Sequence, residues 1–286
     1  MRDKLRIYAA VVFLTMVLLP GCGRMDGTDK AIEPEIKNNV YLGNINFGGL
    51  KKSEAMEKII KNAEGIDVQV REAKLNQNTW EIEGKEKIGQ KLNIEETLNR
   101  LINSKEGDKV SLVVEEIYPK LTTEKLRDNI KLIGSFTTPL LDKQDSRLNN
   151  IEIASEWIDY SIVNPGEEFS FNRSLGKRTK SKGYEQAPII KRTEEGSKKG
   201  YGVGGGICQL SSTLYNAVER GGLEILERHN HSKDVGYVPK GMDATVSYGS
   251  SDFRFRNNRN YSVMVRVYLG ENNLTVKVFE NRNDLM

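Results

Sequence analysis

Hydrophobic positions recur with two different periods along this chain, and the changes of period mark its elements. Ala55, Met56, Ile59, Ile60 and Ala63 fall at helical spacing and predict a helix that Gly65 stops. Ile66, Val68 and Val70 then alternate as a strand does. A second helix is predicted from Ile94 to Asn103, with Asn93 and Glu96 at capping-box spacing. Val110, Leu112 and Val114 alternate again, and a helical connector is predicted around Thr123 to Ile130. A further helix covers Asn149 to Tyr160, where Ile151, Ala154 and Ile158 share a face. From Gly166 onward glycines, turns and short strands dominate. Val263, Val265, Val267 and Leu269 alternate, as do Leu274, Val276 and Val278, with Gly270 and Asn272-Asn273 between them. That pattern predicts a closing β-hairpin. The fold class is α+β: a small α+β unit, then a mixed α+β domain with a glycine-rich loop, a cysteine-bearing helix and C-terminal hairpins.

The N-terminus follows another logic. Arg2, Lys4 and Arg6 precede an uncharged, mostly apolar run from Ile7 to Leu19, and Leu19-Pro20-Gly21-Cys22 follows. A positive start, a short apolar core and a small residue before the cut are the layout of a secretory signal. The run is shorter than the roughly 20 apolar residues that span a bilayer. Leu19 to Cys22 resembles the lipobox of bacterial lipoproteins, in which cleavage leaves the cysteine as a lipid-modified N-terminus. The resemblance implies an extracytoplasmic protein anchored to the cell membrane through Cys22, facing the cell wall. Two or more acyl chains make such an attachment stable, where one does not.

Residues 1–21 are thus expected to be a lipoprotein signal peptide and residues 22–39 a flexible, polar linker. A folded unit over 40–121, a connector over 122–131 and a second domain over 132–280 complete the expected organisation. Cleavage before Cys22 removes three basic residues and one acidic residue, taking the formal charge from +3 to +1. Nucleic-acid binders carry a strong basic excess, so no nucleic-acid partner is expected. The unit over 40–121 contains no histidine or cysteine and reads as a spacer or packing domain.

The most informative stretch is Gly202-Val203-Gly204-Gly205-Gly206-Ile207-Cys208-Gln209-Leu210-Ser211-Ser212. The glycines end abruptly and a helix-forming run begins near Cys208, with Leu210, Leu214, Ala217 and Val218 on one side and Gly221-Gly222 as its stop. A helix N-terminus offers unpaired N–H groups and a dipole that favour a thiolate, the nucleophilic form. Glycines also let backbone N–H groups approach a bound carbonyl, as an oxyanion hole requires. The plainer alternative is a glycine turn before a buried, inert cysteine. A phosphate loop is disfavoured, since no Gly-Lys-Ser/Thr follows.

With Cys22 lipidated, Cys208 has no partner within the chain. The two histidines, His229 and His231, follow it by roughly 20 residues and point to opposite faces if extended, so one of them meets the thiol. Asp243 is the first candidate to orient the imidazole, ahead of Asp234, Tyr248 and Asp252. Gly204, Gly205, Gly206, Ile207, Gln209, Ser211 and Tyr248 are the candidate oxyanion or substrate contacts. No metal or other cofactor is expected, although Cys208, His229 and His231 could supply the three ligands of a catalytic zinc site. Arg173 to Lys199 holds nine basic residues against three acidic ones, suited to anionic groups or simply to solvent.

The span from Leu132 to Phe279 resembles a VanW domain. The matching stretches are Ile133-Gly134-Ser135-Phe136-Thr137-Thr138, Asn164 through Asn172, Gly204 through Ala217, Glu227 through Ser232, Tyr237-Val238-Pro239 with Gly241, Asp243 through Val246, and Asp252 through Asn258. Residues 40–121 resemble the peptidoglycan-binding repeat that precedes this domain in YoaR-like proteins, through Gly43 to Leu50, Glu54-Ala55 and Thr79 to Ile82. Some VanW-domain proteins act as L,D-transpeptidases through the motif cysteine. The resemblance therefore implies a membrane-anchored enzyme that cross-links peptidoglycan stem peptides through a thioester. It implies Cys208 as nucleophile and His231, beside Ser232, as the base ahead of His229. The alternatives are a non-catalytic wall-binding lipoprotein, or a Cys/His peptidase or carboxypeptidase in which water replaces the acceptor amine.

Overall fold

A computed structural model describes residues 33–63, 65–193 and 196–283. The leader and Cys22 lie outside the described residues. The chain is α+β and divides into two compact units, residues 33–63 with 93–113, and residues 65–92 with 114–283.

In the first unit, strand Tyr41–Leu42 pairs antiparallel with Ile45–Asn46 and parallel with Lys109–Val110. Helix α1 is Lys52–Asn62 and helix α2 is Ile94–Asn103. Ala55 and Ile59 face inward from α1, while Met56 and Ile60 are exposed, so the buried stripe is narrower than the apolar pattern. Asn93 Oδ1 accepts the N–H of Glu96 at 2.8 Å, which caps α2 where the sequence placed its start. The folded chain reaches into the expected 22–39 linker. Ile36 is buried, and its N–H donates to Leu50 O at 2.9 Å.

The second unit contains helices α3 (Thr123–Asp128), α4 (Asp145–Ile158), α5 (Phe171–Leu175) and α6 (Ile207–Arg220). Its largest sheet is antiparallel, in the order Ile130–Pro139, Asn273–Asn281, Ser262–Leu269, Ser161–Val163. The two long strands that close it, paired from Ser262↔Asn281 to Leu269↔Leu274, form the hairpin that the alternation predicts. A three-stranded sheet sets Arg254–Arg256 between Glu168–Ser170 and Glu224–Glu227. Strands Gln186–Thr193 and Gly196–Val203 form a separate two-stranded hairpin that leads into α6.

Ile151, Ala154 and Ile158 of α4 pack with Leu210, Leu214 and Val218 of α6 and with Val263, Val265, Val276 and Val278 of the large sheet. Burying α6 between a helix and a sheet fixes the direction of its N-terminal end. Residues 65–92, expected to belong with the first unit, pack with the second: Ala73, Leu75 and Trp80 share a core with Leu126 and Met264. The strand expected over Ile66 to Val70 does not form. Only single bridges, Val68↔Gln90 and Arg71↔Lys87, join that segment to its neighbour, too few for a ladder.

Candidate active site

Three features of the glycine stretch aim Cys208. Gly206 is the N-cap of α6 with φ 107°, a left-handed conformation that side chains rarely adopt. Gly205 lies against the preceding hairpin, where a Cβ would stand 2.7 Å from Ala187 C, Ala187 O and Pro188 O. Asn150, buried on α4, donates to Gly205 O and Glu185 O at 3.0 Å each, while its Oδ1 accepts the Glu185 N–H at 2.7 Å. The loop is thus pinned from α4, and Cys208 occupies the second position of α6.

One face of α6 carries residues 208, 211, 212 and 216 at helical spacing, with Cys208 partly buried and Ser211, Ser212 and Asn216 fully buried. Ser211 Oγ donates to Ala244 O at 2.6 Å, Ser212 Oγ accepts the Ala244 N–H at 2.9 Å, and Asn216 Nδ2 donates to Met242 O at 2.7 Å. These bonds stitch the segment 242–246 along the helix and place Asp243 and Val246 beside its first turn. Val246 N–H meets Cys208 Sγ at 3.5 Å, and Thr245 Oγ1 lies 3.7 Å from the sulfur.

Asp243 Oδ2 accepts both the backbone N–H and the ring Nδ1 of His231, at 2.5 and 2.7 Å. Nδ1 is then occupied, and the imidazole is the main polar group acting on the Cys208 thiol. Cys208, His231 and Asp243 thus form a series with the order a candidate nucleophile, base and orienting carboxylate would take. Arg228 supports it from behind: its Nε donates to Asp243 O at 2.8 Å, and its guanidinium covers the Tyr215 ring at 4.5 Å.

The electrostatics follow from this series. Burial pushes the Cys208 thiol up, but the hydrogen bond and charge of His231, with Val246 N–H and Thr245, outweigh it and hold the thiol below its ordinary value. Burial pushes His231 down, and the Cys208 and Asp243 interactions overcome that, so the imidazole is raised. Burial pushes Asp243 up, and its two bonds to His231 bring it below the usual carboxylate range. All three directions favour a thiolate–imidazolium pair over a neutral one.

Residues 146–279 match the family described as VanW like protein. The chain carries a VanW-like domain. It is 45% identical over 159 residues to the uncharacterized protein YoaR of Bacillus subtilis, covering 55% of this chain and 51% of that protein. It is 28% identical over 144 residues to the vancomycin B-type resistance protein VanW of Enterococcus faecalis, covering 49% and 51% respectively. The chain therefore spans about half the length of the curated relatives it matches. No solved structure matches it.

All three residues of the series fall inside the VanW-like domain, but other sequence candidates take different places. His229 turns away from the thiol, its Nε2 3.0 Å from Glu227 Oε1 and its side chain 45% exposed. Gln209 is turned into the core, donating to Thr138 Oγ1 and Pro139 O and accepting from Arg147 Nη2 at 2.9 Å. Ile207 is buried, and Ser211 holds the 242–246 segment, so neither faces a substrate. Asp234 is exposed, and Asp252 accepts from Ser170 Oγ and Asn172 N rather than from an imidazole.

The glycine loop is also more selective than its composition suggests. The amides of Gly204, Gly205, Ile207 and Gln209 donate to Glu185 O, Gly202 O, Gly204 O and Gly206 O. Among the described residues, those of Gly206 and Cys208 make no backbone hydrogen bond, which makes them the candidate oxyanion donors of the loop. Tyr248 is exposed and lines a cleft of about 620 Å³ with Asn172, Arg173, Glu227 and Asp252. Tyr248 lies two residues past Val246 in the chain. Among the described residues no three His, Cys, Asp or Glu side chains are arranged to hold a metal ion.

The VanW-like domain also brings in residues that sequence reasoning missed. Burial with the Cys208 charge raises the Tyr237 phenol far above the ordinary range, and Ser212 opposes this. Arg178 packs its stem against Gly204. Only a polar residue on an apolar helical face, as Asn150 is, carried a readable signal.

Proposed function

We propose that this chain is a cysteine-dependent acyltransferase of the cell wall, an L,D-transpeptidase acting on peptidoglycan stem peptides. The observation that supports this most is the Cys208–His231–Asp243 series at the N-terminus of α6. The vancomycin-resistance name of one relative and the domain resemblance support the choice of substrate class.

In this reading the Cys208 thiolate attacks the carbonyl carbon between the L-centre of a diamino acid and the following D-alanine. The tetrahedral oxyanion accepts hydrogen bonds from the Gly206 and Cys208 amides. His231 gives its proton to the D-alanine nitrogen as the C–N bond breaks, leaving a thioester and free D-alanine. An amine of a neighbouring stem then attacks the thioester, His231 takes its proton, and the C–S bond breaks to return the thiolate. Asp243 keeps the imidazole in one tautomer and orientation throughout. Lipidation at Cys22 would hold the site above the outer face of the membrane, where nascent wall lies.

The test incubates purified tetrapeptide-bearing wall fragments with wild type and with Cys208→Ala. Wild type should release D-alanine and form new cross-links, and the variant should do neither. Identical product patterns from the two proteins would refute the reading, while D-alanine release without cross-links would assign a carboxypeptidase.

A further inference from the structure

Arg178 is a partly buried cation, packed against the glycine turn that leads to Cys208, without a carboxylate of its own. Its Nη1 donates to Asn172 Oδ1 at 2.6 Å, and its guanidinium lies 5.7 Å from the Phe171 ring centroid. Its Nη2 is buried and has no hydrogen-bond partner. Among the described residues Arg178 makes no ion pair. The carboxylate nearest in its electrostatics, Asp252, already accepts from Ser170 Oγ, Asn172 N and Phe253 N. Burying an unpaired charge is costly, and such groups are normally found with a counter-charge.

The surroundings of Arg178 lead to the sulfur by two routes. A Cβ on Gly204, at the start of the turn into α6, would lie 3.3 Å from Arg178 Cβ. Asn172, which holds the guanidinium, also donates through Nδ2 to Ser247 O at 3.3 Å. Ser247 follows Val246, whose N and O both lie 3.5 Å from Cys208 Sγ. We propose that Arg178 is the second counter-charge of the Cys208 thiolate, so that the resting site holds the sulfur between an imidazolium and a guanidinium.

Other groups set the background. His231 and Tyr237 face the thiol, with Thr245 and Val246 as polar neighbours. Asp243 stands behind His231, Arg147 acts on Tyr237, and Tyr184, Tyr248 and Asp252 act on Arg178. Burial pushes the guanidinium down, and the Cys208 charge is the largest of the effects that oppose this. A planar guanidinium suits the position because it is weakly hydrated and stays charged when enclosed.

The inference takes from the proposed function only that Cys208 reacts as a thiolate. Its test uses iodoacetamide and no wall substrate, so the two can fail separately. Alkylation of Cys208 is followed by mass spectrometry from pH 4 to 10 in wild type, Arg178→Gln and Arg178→Lys. Arg178→Gln should alkylate roughly tenfold more slowly at pH 6, with its rate midpoint moved up, while Arg178→Lys stays near wild type. An unchanged Arg178→Gln profile, or equal slowing in both variants, would overturn the proposal. His231→Ala supplies a check that leaves Arg178 in place. Its midpoint should stay below the roughly 8.5 of an ordinary thiol, and a midpoint above that value contradicts a guanidinium counter-charge.

Discussion

Two imidazole–carboxylate pairs stand side by side in this chain, His231 with Asp243 at 2.7 Å and His229 with Glu227 at 3.0 Å. Their distances barely differ, but their surroundings do. The side chains of the first pair are each 10% exposed, while those of the second are 45% and 31% exposed. Solvent weakens the outer pair, as it does most surface ion pairs. Enclosure strengthens the inner one, and the backbone N–H of His231 adds a second bond to the same carboxylate oxygen. The inner imidazole also acts on a thiol, holding Cys208 below its ordinary value. A histidine beside a carboxylate is thus not informative by itself; burial and the third partner make it so.

The sharpest way to break the comparison is to remove each imidazole. His231→Ala should lower acyl transfer by about 1,000-fold or more, close to the loss from Cys208→Ala, because the two act as a unit. Steady-state D-alanine release measures both. Asp243→Asn keeps the shape but removes the charge and permits the wrong tautomer, and should lower the rate about 100-fold to 10,000-fold. It should also reduce stability by about 1–3 kcal/mol in urea unfolding, since buried donors lose a charged acceptor.

The pH dependence should distinguish the pairs next. Cys208 is held below its ordinary value and His231 above its own. Activity should fall on the acid side as the thiolate is protonated and on the alkaline side as the imidazolium loses its proton, with a plateau between. The couple titrates together, so the two limbs belong to the pair. Stability should follow the same groups. The contribution of Asp243 is present above its unfolded pKa and is lost as pH falls through its lowered folded value. That of His231 is present below its unfolded pKa and is lost as pH rises through its raised folded value. The smallest effect should come from His229→Ala: D-alanine release within about twofold of wild type and stability changed by less than about 0.5 kcal/mol.

The parts of this site that were legible in the sequence are those with a local signal. A glycine run that stops at Ile207-Cys208 announces a helix start, and α6 begins at Ile207. The spacing of His229 and His231 announces opposite directions, and they diverge onto Glu227 and Asp243. The rest depended on contacts between distant segments. Gln209 looked available beside the nucleophile, but helical geometry turns it toward Thr138, where it is 1% exposed. Arg178 was one basic residue among many between Arg173 and Lys199 until folding packed it against Gly204. The fold shows the same division. The 262–281 hairpin has an uninterrupted alternation and forms as read, whereas Ile66 to Val70 alternates equally well and lacks a strand partner beyond two bridges.

The central claim is that Cys208 carries the acyl group while His231 serves it, and trapping the intermediate tests it most directly. Wild type is mixed with a tetrapeptide donor lacking an acceptor amine, quenched in acid and analysed by intact-protein and peptide mass spectrometry. A thioester on Cys208, with the mass of the donor less D-alanine, is predicted, together with none in Cys208→Ala and an unchanged yield in His229→Ala. Free D-alanine with no adduct on Cys208 at any quench time, or an equal adduct in Cys208→Ala, would contradict it.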